Sequence, residues 1–389
     1  MDRVFPFGFP GPTAFYLTLY VLTLIGHVLF MNYVLAGTGY LAFVGVGRWL
    51  RRRTGSETGP DDLYETLRDW MPFALGAAIT AAIAPLLFLQ ILYREPFYTA
   101  NLLLFHRWMS ILPVLIVGFY LLYLIRSKWM AKRSAVAPAC AALGALACFA
   151  FTGYAWTENH LLSLDRASWP GHYESRAMVY RNPLVAARFL MWAAGSVATM
   201  ATILGWQLIG TGIKGAGIKG LREDSEPNSS FPSPVVRRLA KLALAGIVIS
   251  LVTGNAYFFL ERSDIGGRRL TPLQADALSP PYSFLAVAGG LLQLLCWRYA
   301  LRCGRFSWWT LGLASVGLLA TLLGVTVERE AIRLHAIDIS KLYEQHAEAA
   351  QIGGWWIFVF FAAVNAGLVV WAIRLVRRRS RVGGSVASE

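Results

Sequence analysis

Charge is scarce in this sequence, and its few cysteines form no motif. Asp, Glu, Lys and Arg make up 15% of the residues against 56% hydrophobic ones. That balance excludes a soluble protein carrying a lone anchor and points to an integral membrane chain. Cys140, Cys148, Cys296 and Cys303 include no CxxC pair, so neither a disulfide framework nor a zinc site is expected. Without C-x-x-C-H there is no usual attachment site for a covalent c-type haem. The opening Met1-Asp-Arg-Val-Phe-Pro-Phe-Gly8 lacks a basic region ahead of a short apolar core, so no cleavable signal is expected. Gly210-Thr-Gly-Ile-Lys-Gly215 spells GxGxxG, but it follows a membrane helix and no strand precedes it, which excludes a dinucleotide site. A transporter finds little support, since no broken-helix pair, inverted repeat or mid-membrane acid is evident.

What the chain has in abundance is long apolar runs. They recur near 14–47, 70–93, 103–125, 135–157, 183–209, 239–260, 281–301, 308–327 and 353–376, each long enough to span a bilayer as a helix. The expectation is an all-α, polytopic membrane bundle of nine helices forming one integral domain over residues 1–389. Within it, 14–209 and 239–376 are joined by a Gly-, Ser-, Pro- and Lys-rich linker at 210–238. The connections on one side hold 23 Lys and Arg against 12 on the other. The basic side is read as cytoplasmic, which puts the N-terminus outside and the C-terminus inside the cell's inner (cytoplasmic) membrane. Topology and lipid headgroups then account for the net charge of +14, and no nucleic-acid partner is needed.

Against this apolar background a few side chains stand out. His27 lies in the first run, seven residues past Tyr20, or roughly 10 Å deeper along a helix. An ionisable group at such depth marks a functional site, and haem iron is one common use of a neutral imidazole there. A histidine bonded to a neighbouring helix is the plain alternative. His106 sits near the start of the third run and could approach His27 in depth, or could be interfacial beside Trp108. Arg188 lies two turns inside the fifth run and needs an anion, with a haem propionate, Glu158 or Asp165 as candidates. His160, His172 and His346 read as solvated surface residues. His335, beside Arg329, Glu330 and Arg333, reads as part of a surface ion network, and Ala331–Gln351 as a helix lying on the outer surface.

Several stretches resemble subunit I of the cytochrome bd quinol oxidases. Gly26-His27-Val-Leu-Phe30 is similar to the family's first-helix motif, Phe73-Ala-Leu-Gly-Ala-Ala-Ile-Thr80 and Phe88-Leu-Gln90 to its second helix, and Trp156-Thr-Glu-Asn159 to the end of its fourth. Asn182-Pro-Leu-Val-Ala-Ala-Arg-Phe-Leu-Met191 is similar to its fifth-helix segment. The likeness covers 14–209, and it implies a nine-helix layout with a haem ligated by His27. It also implies a basic residue at Arg188. The family's low-spin haem histidine corresponds to Met191 here, and its paired and eighth-helix glutamates have no counterpart. The connection Glu261–Pro280 is far shorter than the family's quinol-binding loop, so quinol oxidation is not expected.

The reading that follows is a membrane electron-transfer subunit of a respiratory-type complex. It carries non-covalent haem b on His27, with His106 as a possible sixth ligand, Met191 at the old ligand position and Arg188 near a propionate. Other membrane subunits are its expected partners, with a periplasmic cytochrome c as a possible electron partner. The rival readings are a non-redox anchor or scaffold subunit and an oxygen reductase with rearranged ligands.

Overall fold

The computed structural model describes residues 9–55, 61–131, 136–211, 233–262, 282–354, 356–364, 367–368 and 371. Among these the secondary structure is helical, with no strand. The helices are α1 (Gly11–Arg53), α2 (Asp62–Leu92), α3 (Arg94–Leu103), α4 (Phe105–Arg126), α5 (Lys128–Ala131) and α6 (Val136–Leu164). They continue with α7 (Trp169–Glu174), α8 (Pro183–Thr211), α9 (Ser233–Arg262), α10 (Tyr282–Cys303), α11 (Trp308–Ala336) and α12 (Tyr343–Gln351). Seven of the described helices are long and apolar enough to cross a membrane, or eight if the bent pair Ile339–Gln351 and Trp356–Val364 makes one span. The chain is therefore a multi-pass bundle by length and composition. The expected run 239–260 is continuous helix in α9, uncharged from Leu242 to Tyr257, but α9 is not among those seven. The expected ninth run, 353–376, lies only in part within the described residues, as do the linker 210–238 and the connection 261–280.

Helix α1 organises the bundle. At 43 residues it is about 65 Å long, roughly twice the hydrocarbon thickness of a bilayer. It packs on α2, α6 and α8 and also touches α11 and α12, while α8 pairs with α9, α10 with α11 and α4 with α6. Lipid gives helices no hydrophobic reason to associate, so small residues and interhelical hydrogen bonds must hold them. Asn32 of α1 donates to Thr199 Oγ1 (3.1 Å) and accepts from Trp192 Nε1 (2.5 Å), both on α8. Tyr33 donates to Gln207 at 2.9 Å. Helices α10 and α11 cross at Gly289 and Gly317, where a Cβ on either residue would lie 2.5 or 2.8 Å from the other's carbonyl oxygen.

The two ends of the bundle are closed differently. At the end bearing Arg51, Arg52, Arg53 and Arg126, Asp61 caps α2 by accepting from the Tyr64 N–H. It also accepts from the Tyr40 hydroxyl at 3.1 Å and pairs with Arg238 at 2.9 Å, which lies over the Tyr40 ring. The opposite end, named here for Tyr93, collects the last turns of α2, α6 and α11 and the first turns of α1, α4 and α8. Two large apolar clusters fill much of the interior, and a smaller third one holds Ala100, Leu104, Leu161, Leu162, Tyr180 and Val185. Of the two large ones, one contains Tyr16 to Leu24 of α1 with Phe88 to Tyr93, and the other contains Tyr33 to Val44 with Leu63 to Leu75.

Candidate functional site

Polar side chains concentrate inside the Tyr93 end. On α11, Arg329, Glu330 and Arg333 fall within one turn, a spacing that sets them on one face. Glu330, 2% exposed, accepts from Arg329 at 2.7 Å, from Arg333 at 3.2 Å and from the Tyr93 hydroxyl at 2.9 Å. The Tyr93 hydroxyl is the donor in its bond, since the Glu330 carboxylate can only accept. The Tyr20 hydroxyl of α1 accepts from Arg329 at 3.0 Å and from Arg333 at 3.3 Å. Arg333 also donates from Nη2 to His160 Nδ1 on α6. Three helices are thereby joined to α11 through charge-assisted bonds, the stronger class of hydrogen bond. Beside this group Arg107 of α4 grips the fully buried Glu158 of α6 at 2.7 and 2.8 Å, and Asn159 donates to Asn101 at 2.7 Å.

This arrangement corrects several sequence expectations. His160 and His346 are not solvated. His160 is 7% exposed, and His346 is fully buried between Thr13 Oγ1 at 2.8 Å and the Leu92 carbonyl at 3.3 Å. The ion network of Arg329, Glu330 and Arg333 is internal rather than superficial. Ala331–Gln351 is not one surface helix: α11 runs on to Ala336, and a short 3₁₀ turn at Ile339–Leu342 leads into α12. Helix α6 continues to Leu164 instead of ending near 157, which brings Glu158, Asn159 and His160 beneath the last turns of α11. His172 is half-buried, and the His335 side chain lies outside the described residues.

His27 sits deeper, where the two large apolar clusters part. On α1 no residue from Ile25 to Met31 is buried, although Leu24 and Asn32 on either side are. Gly26 on α1 and Gly76 on α2 both face space with no atom within 4 Å of an added Cβ. Across this seam His27 Nδ1 lies 3.0 Å from the Ala78 carbonyl of α2. A carbonyl can only accept, so the proton is on Nδ1 and Nε2 keeps its lone pair. This bond is the plain alternative of the sequence reading, a histidine tied to a neighbouring helix; a carbonyl fixing one ring nitrogen is also how protein imidazoles are commonly oriented for a metal.

None of the other expected site residues hydrogen-bonds to His27. His106 is the second residue of α4 and is exposed, its ring against Phe105. His27 is sixteen residues into α1, about 24 Å from the start of that helix, so the two imidazoles are not brought together. Met191 sets its sulfur against Gly254 of α9 and accepts Ser250 on its carbonyl at 3.0 Å. Arg188 donates to the Tyr257 hydroxyl at 3.3 Å and lies over that ring. Its two expected acidic partners are engaged elsewhere, Glu158 by Arg107 and Asp165 by Ser168 and Tyr180. Among the described residues no carboxylate lies within ion-pair distance of Arg188, and no group of three His, Cys, Asp or Glu could hold a metal ion. No protein-family model matches the chain, and no curated protein matches it.

Proposed function

We propose that this protein is an electron-transfer subunit of a membrane complex, with haem b on His27. One observation carries the reading: an imidazole at membrane depth whose Nδ1–H is fixed on the Ala78 carbonyl, which leaves the Nε2 lone pair for a ligand. The residues fit such a group. Gly26 and Gly76 have open space where a Cβ would lie, and Arg188 is a cation with no carboxylate partner among the described residues. When bound, a haem supplies a one-electron couple. The chain's own part is to hold the ligand ring in one tautomer, to keep water from the seam with apolar helices, and to offer Arg188 to an acidic group. A positive charge near the couple favours its reduced form. The resemblance of 14–209 to subunit I of the cytochrome bd quinol oxidases supports the same ligand. The Lys and Arg asymmetry supports an external Tyr93 end, placing His27 within reach of an external or membrane-bound electron partner. Haem content of the purified protein by pyridine haemochrome tests the proposal: about one haem b per chain is expected, and none refutes it.

A second reading, a non-redox anchor subunit, is favoured by the Tyr93 end itself. The ties of α1, α2 and α6 to α11 there are made by side chains of the protein and would hold the helices without any cofactor.

A further inference from the structure

We propose that the apolar helix beginning at Trp356 docks antiparallel along the membrane face of α2, so that the C-terminal segment of the chain clamps both ends of that helix. Helix α12, which precedes it, is fixed over the ends of α1 and α2 by His346, buried between Thr13 and the Leu92 carbonyl. Gly353 and Gly354 follow α12, Gly353 at φ 82°, a conformation glycine adopts without strain. Beyond them Trp356–Val364 leaves at 68° to Ile339–Gln351. Phe358 joins this helix to the bundle, its ring meeting that of Phe88 on α2 edge-on at 5.3 Å. Trp356, Ile357, Phe360 and Phe361 are each more than half exposed.

Two features of α2 select it as the dock. Phe73, Thr80, Ile83 and Leu87 recur on one helix face and are exposed, the three apolar ones by 63, 57 and 54%. That stripe begins beside Phe88, so a helix entering there meets apolar side chains on its way to the basic end. Ala362, Ala363 and Gly367 of the incoming segment are small enough for close backbone approach, which is what holds helices together in lipid. Charge is the second feature. The apolar run leads into Arg374-Leu-Val-Arg-Arg-Arg379. Of the spanning helices only α2 carries acidic residues in its turns at the basic end, Asp62, Glu65 and Asp69, whereas α1, α4, α9 and α10 carry Arg51, Arg126, Arg238 and Arg302 there. Glu65 and Asp69 share one close cation, Arg68, and their side chains are 42% and 50% exposed. The register agrees: Asp69 lies nineteen residues before Phe88 and Arg377 nineteen after Phe358, so two antiparallel helices of equal rise bring them level. Such an exposed pairing adds little stability, but it sets the face and the direction of docking.

The test is disulfide trapping of the full-length chain in membranes, with Cys140, Cys148, Cys296 and Cys303 replaced by Ala. The same register sets Ala362 level with Ala84, so Ala362→Cys combined with Ile83→Cys should form an intrachain disulfide on mild oxidation, read by mass spectrometry of the linked peptides. Ala362→Cys combined with Val117→Cys on α4 or Val252→Cys on α9, both more than half exposed, should give at least about tenfold less. Density of the unaltered protein in lipid nanodiscs gives a reading that depends on no variant: the helix from Trp356 should lie beside Leu87, Ile83 and Phe73. Absence of the Ile83 linkage in folded protein, equal trapping at the α4 or α9 positions, linkage only between two chains on a non-reducing gel, or density for the helix away from α2 overturns the proposal. The haem content of the protein bears on none of these outcomes.

Discussion

Replacing Glu330 by Gln is the most informative perturbation of the Tyr93 end. The amide preserves shape and removes the one charge that Arg329 and Arg333 share, at contacts of 2.7 and 3.2 Å. It also turns an NH₂ group toward donors that had faced a carboxylate oxygen. With Glu330 2% and Arg333 5% exposed, solvent cannot replace the lost partner, and breaking a buried pair on one side typically costs about 3–5 kcal/mol. Arg329 is 22% exposed, so part of its charge is solvated and the lower half of that range is expected. The assay is reversible unfolding in mixed micelles, comparing Glu330→Gln with the double variant Glu330→Gln/Arg333→Gln. Removing the second charge should restore a measurable part of the loss, because two neutral side chains tolerate burial better than one uncompensated cation. A loss below about 1 kcal/mol for the single variant, in the range of an exposed pair, would refute the account of a sealed network.

Other consequences are equally direct. Gly289→Leu should push α10 from α11, where the carbonyl of Gly317 leaves only 2.5 Å for a Cβ, and lower stability by at least ~1–3 kcal/mol. Melting curves beside Gly290→Leu, whose Cβ meets no atom within 4 Å, provide the control. Asp61→Ala removes the α2 cap and the partner of Tyr40 and Arg238, and a loss of about 1–2 kcal/mol in the same unfolding assay is expected. For topology, Cys introduced at Ser56 and at Ser168 should react with an impermeant maleimide from opposite sides of the membrane. Labelling of both from one side would contradict the orientation.

The apolar runs of the sequence foretell the helices α1, α2, α4, α6, α8, α10 and α11 closely, because twenty uncharged residues have few alternatives in lipid. The polar network was hidden by a local habit of reading. Glu158, Asn159 and His160 follow an apolar run and look like the start of a loop, yet their partners are up to 173 positions away in sequence, as in the bond from Arg333 to His160. A signal did exist. Arg329, Glu330 and Arg333 continue the helical register of 308–327 without Gly, Pro or a capping residue between, and a helix that does not stop carries its charges with it. His346 gave no such signal, because its burial depends on Thr13 and Leu92. His27 was legible for the opposite reason, an isolated ionisable group in a run with no other.

The reduced-minus-oxidised absorption spectrum of membranes carrying the wild-type chain, set beside that of His27→Ala at equal protein level, tests the central claim most directly. A haem b spectrum in the wild type that is lost in His27→Ala is the predicted result. A haem spectrum of full size in His27→Ala would contradict the account, because the iron would then be held without this imidazole.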